Sequence, residues 1–171
     1  MTPQTGDQSA PMRAAFFLLS LSAVAGSAAA QQQSLGIFGT WGAFQKNGRC
    51  YAITEPWRGP KAQGWRAHMT VTFDPVRGAR GQVYFRLGRA KRAGSAVLLR
   101  IDDKTFQLAA GGADAWGADV RADAEIVGAM RTGLEMSVET RTEQGATLRE
   151  SYRLRGAATA IDAAAIACAR R

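Results

Sequence analysis

From His68 onward the chain alternates with a period of two. Met69, Val71 and Phe73 fall on one phase, and His68, Thr70 and Thr72 on the other. That is the pattern of a strand with one face buried. Asp74-Pro75 ends it, and Arg77-Gly78-Ala79-Arg80-Gly81 reads as a basic turn. The next strand places Val83, Phe85 and Leu87 inward with Tyr84 and Arg86 outward, before a second basic connection from Gly88 to Gly94. Ala96 to Ile101 is a more continuous apolar strand, and Asp102-Asp103 turns it into Thr105-Phe106-Gln107-Leu108. Leu134, Met136 and Val138 alternate with Glu135, Ser137 and Glu139. Leu148, Tyr152 and Leu154 share a phase in the last strand. Glu150 falls on that phase too, where only an edge position or a polar partner would accommodate it.

Two other stretches read as strand. Residues Ile37 to Phe44 form one apolar run, and Cys50 to Glu55 return after Asn47-Gly48, a pair that tolerates the positive φ of a tight hairpin. Pro56 to Gly64 and Gly111 to Gly117 read as loops. A helix is expected over about 119–132, capped by Asp119, with Ile126, Val127 and Met130 inward, Arg131 at its C-terminal dipole and Gly133 as its stop. A second is expected over about 160–168, with Thr159 and Asp162 in capping-box spacing and Cys168 toward the sheet. The fold class is mainly β: one small antiparallel β-sandwich or curved sheet with these two short helices.

The first 30 residues read differently. Arg13 precedes the apolar run Ala14 to Ala25, and Ala28-Ala29-Ala30 offers the small-x-small site of signal peptidase. A retained membrane helix is the competing reading, but the run is short and ends in Ala and Ser. Residues 1–30 are therefore expected to be a signal peptide, with Met1 or Met12 as the start. Residues 31–36 would be a flexible leader and 37–171 a single β-rich domain. Removing the signal leaves about 140 residues, enough for one domain. The expected location is periplasmic or secreted, with no transmembrane segment after cleavage.

The chain carries a net charge of +8, and Asp7 and Arg13 leave together, so the domain keeps it. An exported protein meets little nucleic acid, and none is expected as a partner. The anions at hand are lipopolysaccharide phosphates, lipid head groups or an acidic envelope protein; a solvated surface serving solubility is the plainer reading. Candidate anionic contacts are Arg77, Arg80, Arg89, Lys91 and Arg92. Trp57 and Trp65, in Pro/Gly-rich surroundings and each followed by Arg, are candidate aromatic contacts. Trp41 and Trp116 are expected in the core. Cys50 and Cys168 are the two cysteines. An oxidising compartment and an even count point to a bridge, against two buried thiols.

No catalytic signature emerges. His68 is the one histidine, set on the polar phase of a strand, and no Gly-x-Ser-x-Gly elbow accompanies it. Asp102-Asp103 suits a turn, and Asp114, Asp119 and Asp123 do not match a calcium loop. Glu55, Glu135, Glu139 and Glu150 could serve a glycosidase, but sequence does not place two of them at catalytic separation, and outward Glu on a strand is usually solvated. No cofactor motif occurs. A non-enzymatic binding or structural module is expected. The alternatives are an unrecognised periplasmic hydrolase and a protein-binding chaperone or inhibitor domain.

Several residues resemble the invasion-associated locus B family of exported alphaproteobacterial proteins. They are Gly39-Thr40-Trp41 and Cys50, then Phe106, Leu108, Ala115-Trp116, Asp123, Ile126 and Met130-Arg131. Gly133, Met136, the Arg141-to-Gly145 turn, Tyr152-Arg153-Leu154, Gly156 and the helix into Cys168 follow. The resemblance spans most of 37–168 through packing and turn positions. It implies a periplasmic or surface-associated β-rich protein with no defined reaction. Many members carry a cysteine where this chain has Phe44, which leaves Cys50 with Cys168 as the intramolecular pair.

Overall fold

The computed structural model describes residues 1–2, 31–61 and 64–169. The segment expected to be a signal peptide, with its expected cleavage site, thus lies outside the described residues, Met1 and Thr2 excepted. Ten strands form one antiparallel sheet: β1 (Gln33–Phe38), β2 (Trp41–Lys46), β3 (Arg49–Thr54), β4 (His68–Asp74), β5 (Ala79–Arg86), β6 (Val97–Ile101), β7 (Lys104–Gly111), β8 (Asp114–Trp116), β9 (Glu135–Arg141) and β10 (Thr147–Arg153). Their spatial order is β1-β2-β3-β4-β5-β8-β7-β6-β9-β10, so β1 and β10 are the free edges. β7 serves both halves, pairing with β6 through Lys104–Leu108 and with β8 through Ala109–Gly111. The helices are α1 (Val120–Thr132) and α2 (Ala157–Ala169). This is the mainly β fold with two short helices that the hydrophobic pattern requires.

Local chemistry explains most boundaries. Lys46 pairs with Arg49 around Asn47-Gly48, whose φ values are 52° and 77°, as a two-residue hairpin demands. Asp119 accepts from the Ala122 N–H at 2.8 Å, and the Gly133 N–H closes α1 onto the Ala129 carbonyl at 2.9 Å.

Five expectations need correction. The run Ile37 to Phe44 is two strands, because Gly39 at φ 63° reverses the chain and Phe38 pairs with Trp41. Gln33–Gly36, expected in the leader, belong to β1. The loop expected over 111–117 is a hairpin: Gly112 adopts φ 57°, Gly111 pairs with Asp114, and β8 follows. Leu134 lies before β9 and is exposed, its N–H held by the Asp102 carboxylate. α2 begins at Ala157, after Gly156 turns at φ 94°, so Thr159 and Asp162 lie within the helix and form no capping box. Asp162 instead meets Arg131 at 2.6 Å and ties α2 to α1.

Inward residues of both halves meet in one core. Ala52, Met69, Val71, Val83 and Phe85 face Val97, Leu99, Met136, Val138, Leu148 and Tyr152. α2 lies across β1–β4 with Ala157, Ala160, Ile161 and Ala164 buried; small side chains let it approach closely. Cys168 on α2 is bonded to Cys50 on β3, 118 residues away. Such a bridge belongs to an oxidising compartment rather than the cytoplasm. No helix among the described residues is long and apolar enough to cross a membrane.

Two substitutions test this architecture. Replacing both cysteines by Ala should lower unfolding free energy by about 2–5 kcal/mol, read from urea titrations, since the bridge closes a long loop. Gly156→Ala would drive a Cβ onto the Phe38 carbonyl oxygen at a positive φ. It should cost at least about 2 kcal/mol. A melting point unchanged from the parent protein would refute the close approach.

Candidate functional site

The polar phases of β3, β4 and β5 lie side by side and form the floor of a groove of about 880 Å³. Tyr51 and Ile53 come from β3, His68, Thr70 and Thr72 from β4, and Gln82 and Tyr84 from β5. Trp116 and the first turn of α1 line it too, as do Arg77 to Gly81. A smaller hollow of about 500 Å³ adjoins it through Arg49, Tyr51, Asp74 and Arg77, and adds Lys46, Asn47 and Val76. This end of the sheet therefore gathers Lys46, Arg49, Arg77 and Arg80. Asp74 is the acid among them, with Arg49 Nε at 3.3 Å, Arg77 Nε at 4.0 Å and the Arg77 backbone N–H at 3.2 Å. Burial pushes its pKa up. The Arg77 N–H and the two guanidinium groups outweigh that and hold it below the usual carboxylate range. Arg80 is exposed and makes no ion pair among the described residues.

At the other end of the floor, Tyr84 Oη donates to Asp114 Oδ1 at 2.5 Å and Arg86 Nη1 donates to the same oxygen at 2.7 Å. Burial raises the Asp114 pKa, but these two donors outweigh it and leave the carboxyl below its ordinary value. Tyr84 is raised, by burial first and then by that carboxylate, so the phenol keeps its proton. The Arg86 guanidinium lies 4.7 Å from the Trp65 ring centre, and Trp65 Nε1 donates to the Leu87 carbonyl at 2.7 Å. Trp65 is thus a half-buried strut. His68 sits 6.1 Å from the Tyr84 ring with Nδ1 against the Arg66 carbonyl. The groove lining has no serine or cysteine beside it.

Trp116 corrects the sequence reading. It pairs with Tyr84 across the β5–β8 ladder, which puts its ring on the outer face, 39% exposed, and not in the core. Trp41 is wholly buried as expected.

The predicted cationic residues do not form one surface. Arg77 and Arg80 stand at the groove. Arg89, Lys91 and Arg92 follow the opposite end of β5, roughly 25 Å away along the strand. Arg89 Nη2 donates to the Lys61 carbonyl at 3.2 Å, and Lys91 Nζ to the Arg92 carbonyl at 3.0 Å. Trp57 lies on β10, its N–H bonded to the Ser151 carbonyl. The candidate carboxylates also stay apart: Glu55 meets Arg66, Glu139 approaches Arg149, and Glu150 points inward. No cluster of three metal-ligating side chains occurs among the described residues.

Glu150 is the residue whose role the sequence left open. It has no exposed surface. Its Oε1 accepts from the Gly88 N–H at 2.7 Å and its Oε2 from Tyr152 Oη at 3.2 Å, with no cation beside it. Burial raises its pKa, and the two donors offset this only in part. Tyr152 is pushed well above its ordinary value, by burial first and then by the neighbouring carboxyl.

Neither protein-family models, nor curated proteins, nor solved structures yield a match to this chain.

The Glu150 site makes a pH prediction. A raised folded pKa means that the folded state holds a proton longer than the unfolded chain. Stability is lost as pH rises from the ordinary Glu range through the raised value, and it levels off above it. Glu150→Gln keeps an acceptor for Gly88 and removes this loss. Relative to the parent protein it should gain stability between acidic and neutral pH in urea titrations. Glu150→Ala leaves the Gly88 N–H unpaired and should cost about 2–3 kcal/mol. A parent–Gln difference that is independent of pH would count against the buried, uncompensated carboxyl.

Proposed function

We propose that this chain is a non-enzymatic binding module of the bacterial envelope, exported by its N-terminal segment, which holds an anionic partner in the groove over β3–β5. The observation that carries this reading is the groove itself. Its volume suits a ligand or head group. Tyr51, Tyr84 and Trp116 give it ring surface, and Arg49, Arg77 and Arg80 outnumber its two lining acids, Asp74 and Asp123. Lipopolysaccharide phosphates and anionic lipid head groups are the partners that an envelope offers to such a site. The disulfide favours the same compartment.

Kinship with the invasion-associated locus B family belongs to the same proposal. The residues behind the resemblance act largely in packing: Trp41, Ile126, Met130, Met136 and Tyr152 are buried, Gly156 turns beside Phe38, and Cys50 and Cys168 are bonded. They support a shared architecture more than a shared task.

Sedimentation with vesicles checks the binding. The protein should pellet with phosphatidylglycerol or lipopolysaccharide vesicles at low salt, release at high salt, and ignore phosphatidylcholine. Arg77→Gln and Arg80→Gln should each weaken binding about fivefold, one cation's share near an anionic surface. Trp116→Ala should weaken it without changing the salt slope. Binding that is indifferent to salt and to both arginines would sink the proposal.

A further inference from the structure

We propose a second site, separate from the groove and independent of that reading: Trp57, Arg58 and Arg153 form a clamp for a phosphate-type oxyanion. The strap that leaves β3 runs along the free edge of β10. The Trp57 N–H donates to the Ser151 carbonyl at 3.0 Å, and the Ser151 N–H to the Arg58 carbonyl at 2.8 Å. Farther along, Arg89 holds the strap at Lys61. The Trp57 ring is 41% exposed, with Arg58 Cζ 4.6 Å and Arg153 Cζ 4.8 Å from its centre. Arg153 is fixed from the core side as well, because the buried Trp41 Nε1 donates to its carbonyl at 2.8 Å.

Neither guanidinium has an ion-pair partner among the described residues. The nearby acids are otherwise placed. Glu55 is held by Arg66, and Glu139 lies toward Arg149. Glu135 stands opposite Arg153 in the β9–β10 ladder, yet makes no ion pair with it. Glu150 is on the inner face and spends its oxygens on Gly88 and Tyr152. One indole thus carries two guanidinium groups, 4.6 and 4.8 Å from its centre, and neither charge is paired with an acid among the described residues. An anion bound against both would neutralise them. Guanidinium forks match the oxygens of phosphate, and a dianion answers both charges. Pinned backbones on both sides mean that little ordering remains to be done on binding.

Tryptophan fluorescence of the full chain tests the clamp, with Trp57→Phe assigning the signal. The probes are inorganic phosphate, vesicles of phosphatidate in phosphatidylcholine, and plain phosphatidylcholine, each against sodium chloride of matched ionic strength. A saturable Trp57-dependent change with phosphate is the expected result, weakened about tenfold by Arg58→Gln or Arg153→Gln. A change seen only with phosphatidate vesicles supports the same chemistry from a lipid source. Arg77→Gln and Arg80→Gln should leave the Trp57-dependent response to inorganic phosphate unaltered, which separates this site from the groove. Circular dichroism melts check that the variants fold. The proposal is overturned if neither probe exceeds the chloride control, or if the response survives in the doubly substituted Arg58→Gln/Arg153→Gln protein.

Discussion

A ten-stranded antiparallel sheet that stops short of closure leaves two free edges, and this molecule depends on the seam that brings them together. The Trp41 indole on β2 reaches the Arg153 carbonyl at the end of β10. Three residues later the chain turns at Gly156, pressed so close to the Phe38 carbonyl that no side chain fits. The strap at Trp57 and Arg58 adds two backbone hydrogen bonds to the β10 edge, which blunts it against pairing with another chain. From Gly156 the chain enters α2, which covers β1–β4 and is locked to β3 by the Cys50–Cys168 bond. The first three strands are thus tied to β10 and to the helix that follows it by an indole hydrogen bond, a close backbone contact and a disulfide, where a closed barrel would use a continuous ladder.

The same geometry explains the carboxylates of Asp123 and Glu150. β8 has three residues and pairs β5 only at Tyr84, Phe85 and Arg86. The β5 backbone beyond each end of that ladder must find other partners, because an unpaired buried N–H is expensive. Leu87 reaches the Ala113 carbonyl. Val83 is served by Asp123 of α1 at 3.0 Å, and Gly88, just past β5, by Glu150 of β10. Burial raises the pKa of both acids, and the hydrogen bond each receives opposes that rise. Glu150 therefore looks misplaced in a hydrophobic phase only when β10 is considered alone; against β5 it completes a short ladder.

Much of this was legible in the chain. Period-two alternation located β4, β5, β9 and β10, because each has one buried face. Asn47-Gly48 and Asp119 marked a hairpin and a cap through chemistry that acts over a few residues. β8 was not legible: three residues cannot display a period, and Trp116 looks like core until its pairing with Tyr84 turns it outward. The groove was half legible. Its floor consists of the polar phases assigned from alternation, but their convergence depends on strand neighbours far apart in sequence. The Arg58–Trp57 contact is between adjacent residues, whereas Arg153 arrives from β10 only through the fold.

The separation of the cations decides how the charge of +8 can act. Lys46, Arg49, Arg77 and Arg80 gather where β5 begins, while Arg58, Arg153, Arg89 and Lys91 lie toward the end where β5 finishes. The length of β5 is roughly 25 Å, about three Debye lengths at physiological salt. Neither pole then contributes appreciably to the field at the other, and charge removed at one should leave binding at the other intact. A single basic face would respond to salt as one unit. If both proposed sites bind, two screened poles on opposite ends of the sheet would act as independent contacts, each specific only as far as its own local geometry allows. At the groove that geometry is ring surface beside arginines; at β10 it is one indole holding two guanidinium groups. On the proposed reading the net charge would raise encounter with anionic surfaces in general, while discrimination would rest on Trp116 and Tyr84 at one end and on Trp57 at the other.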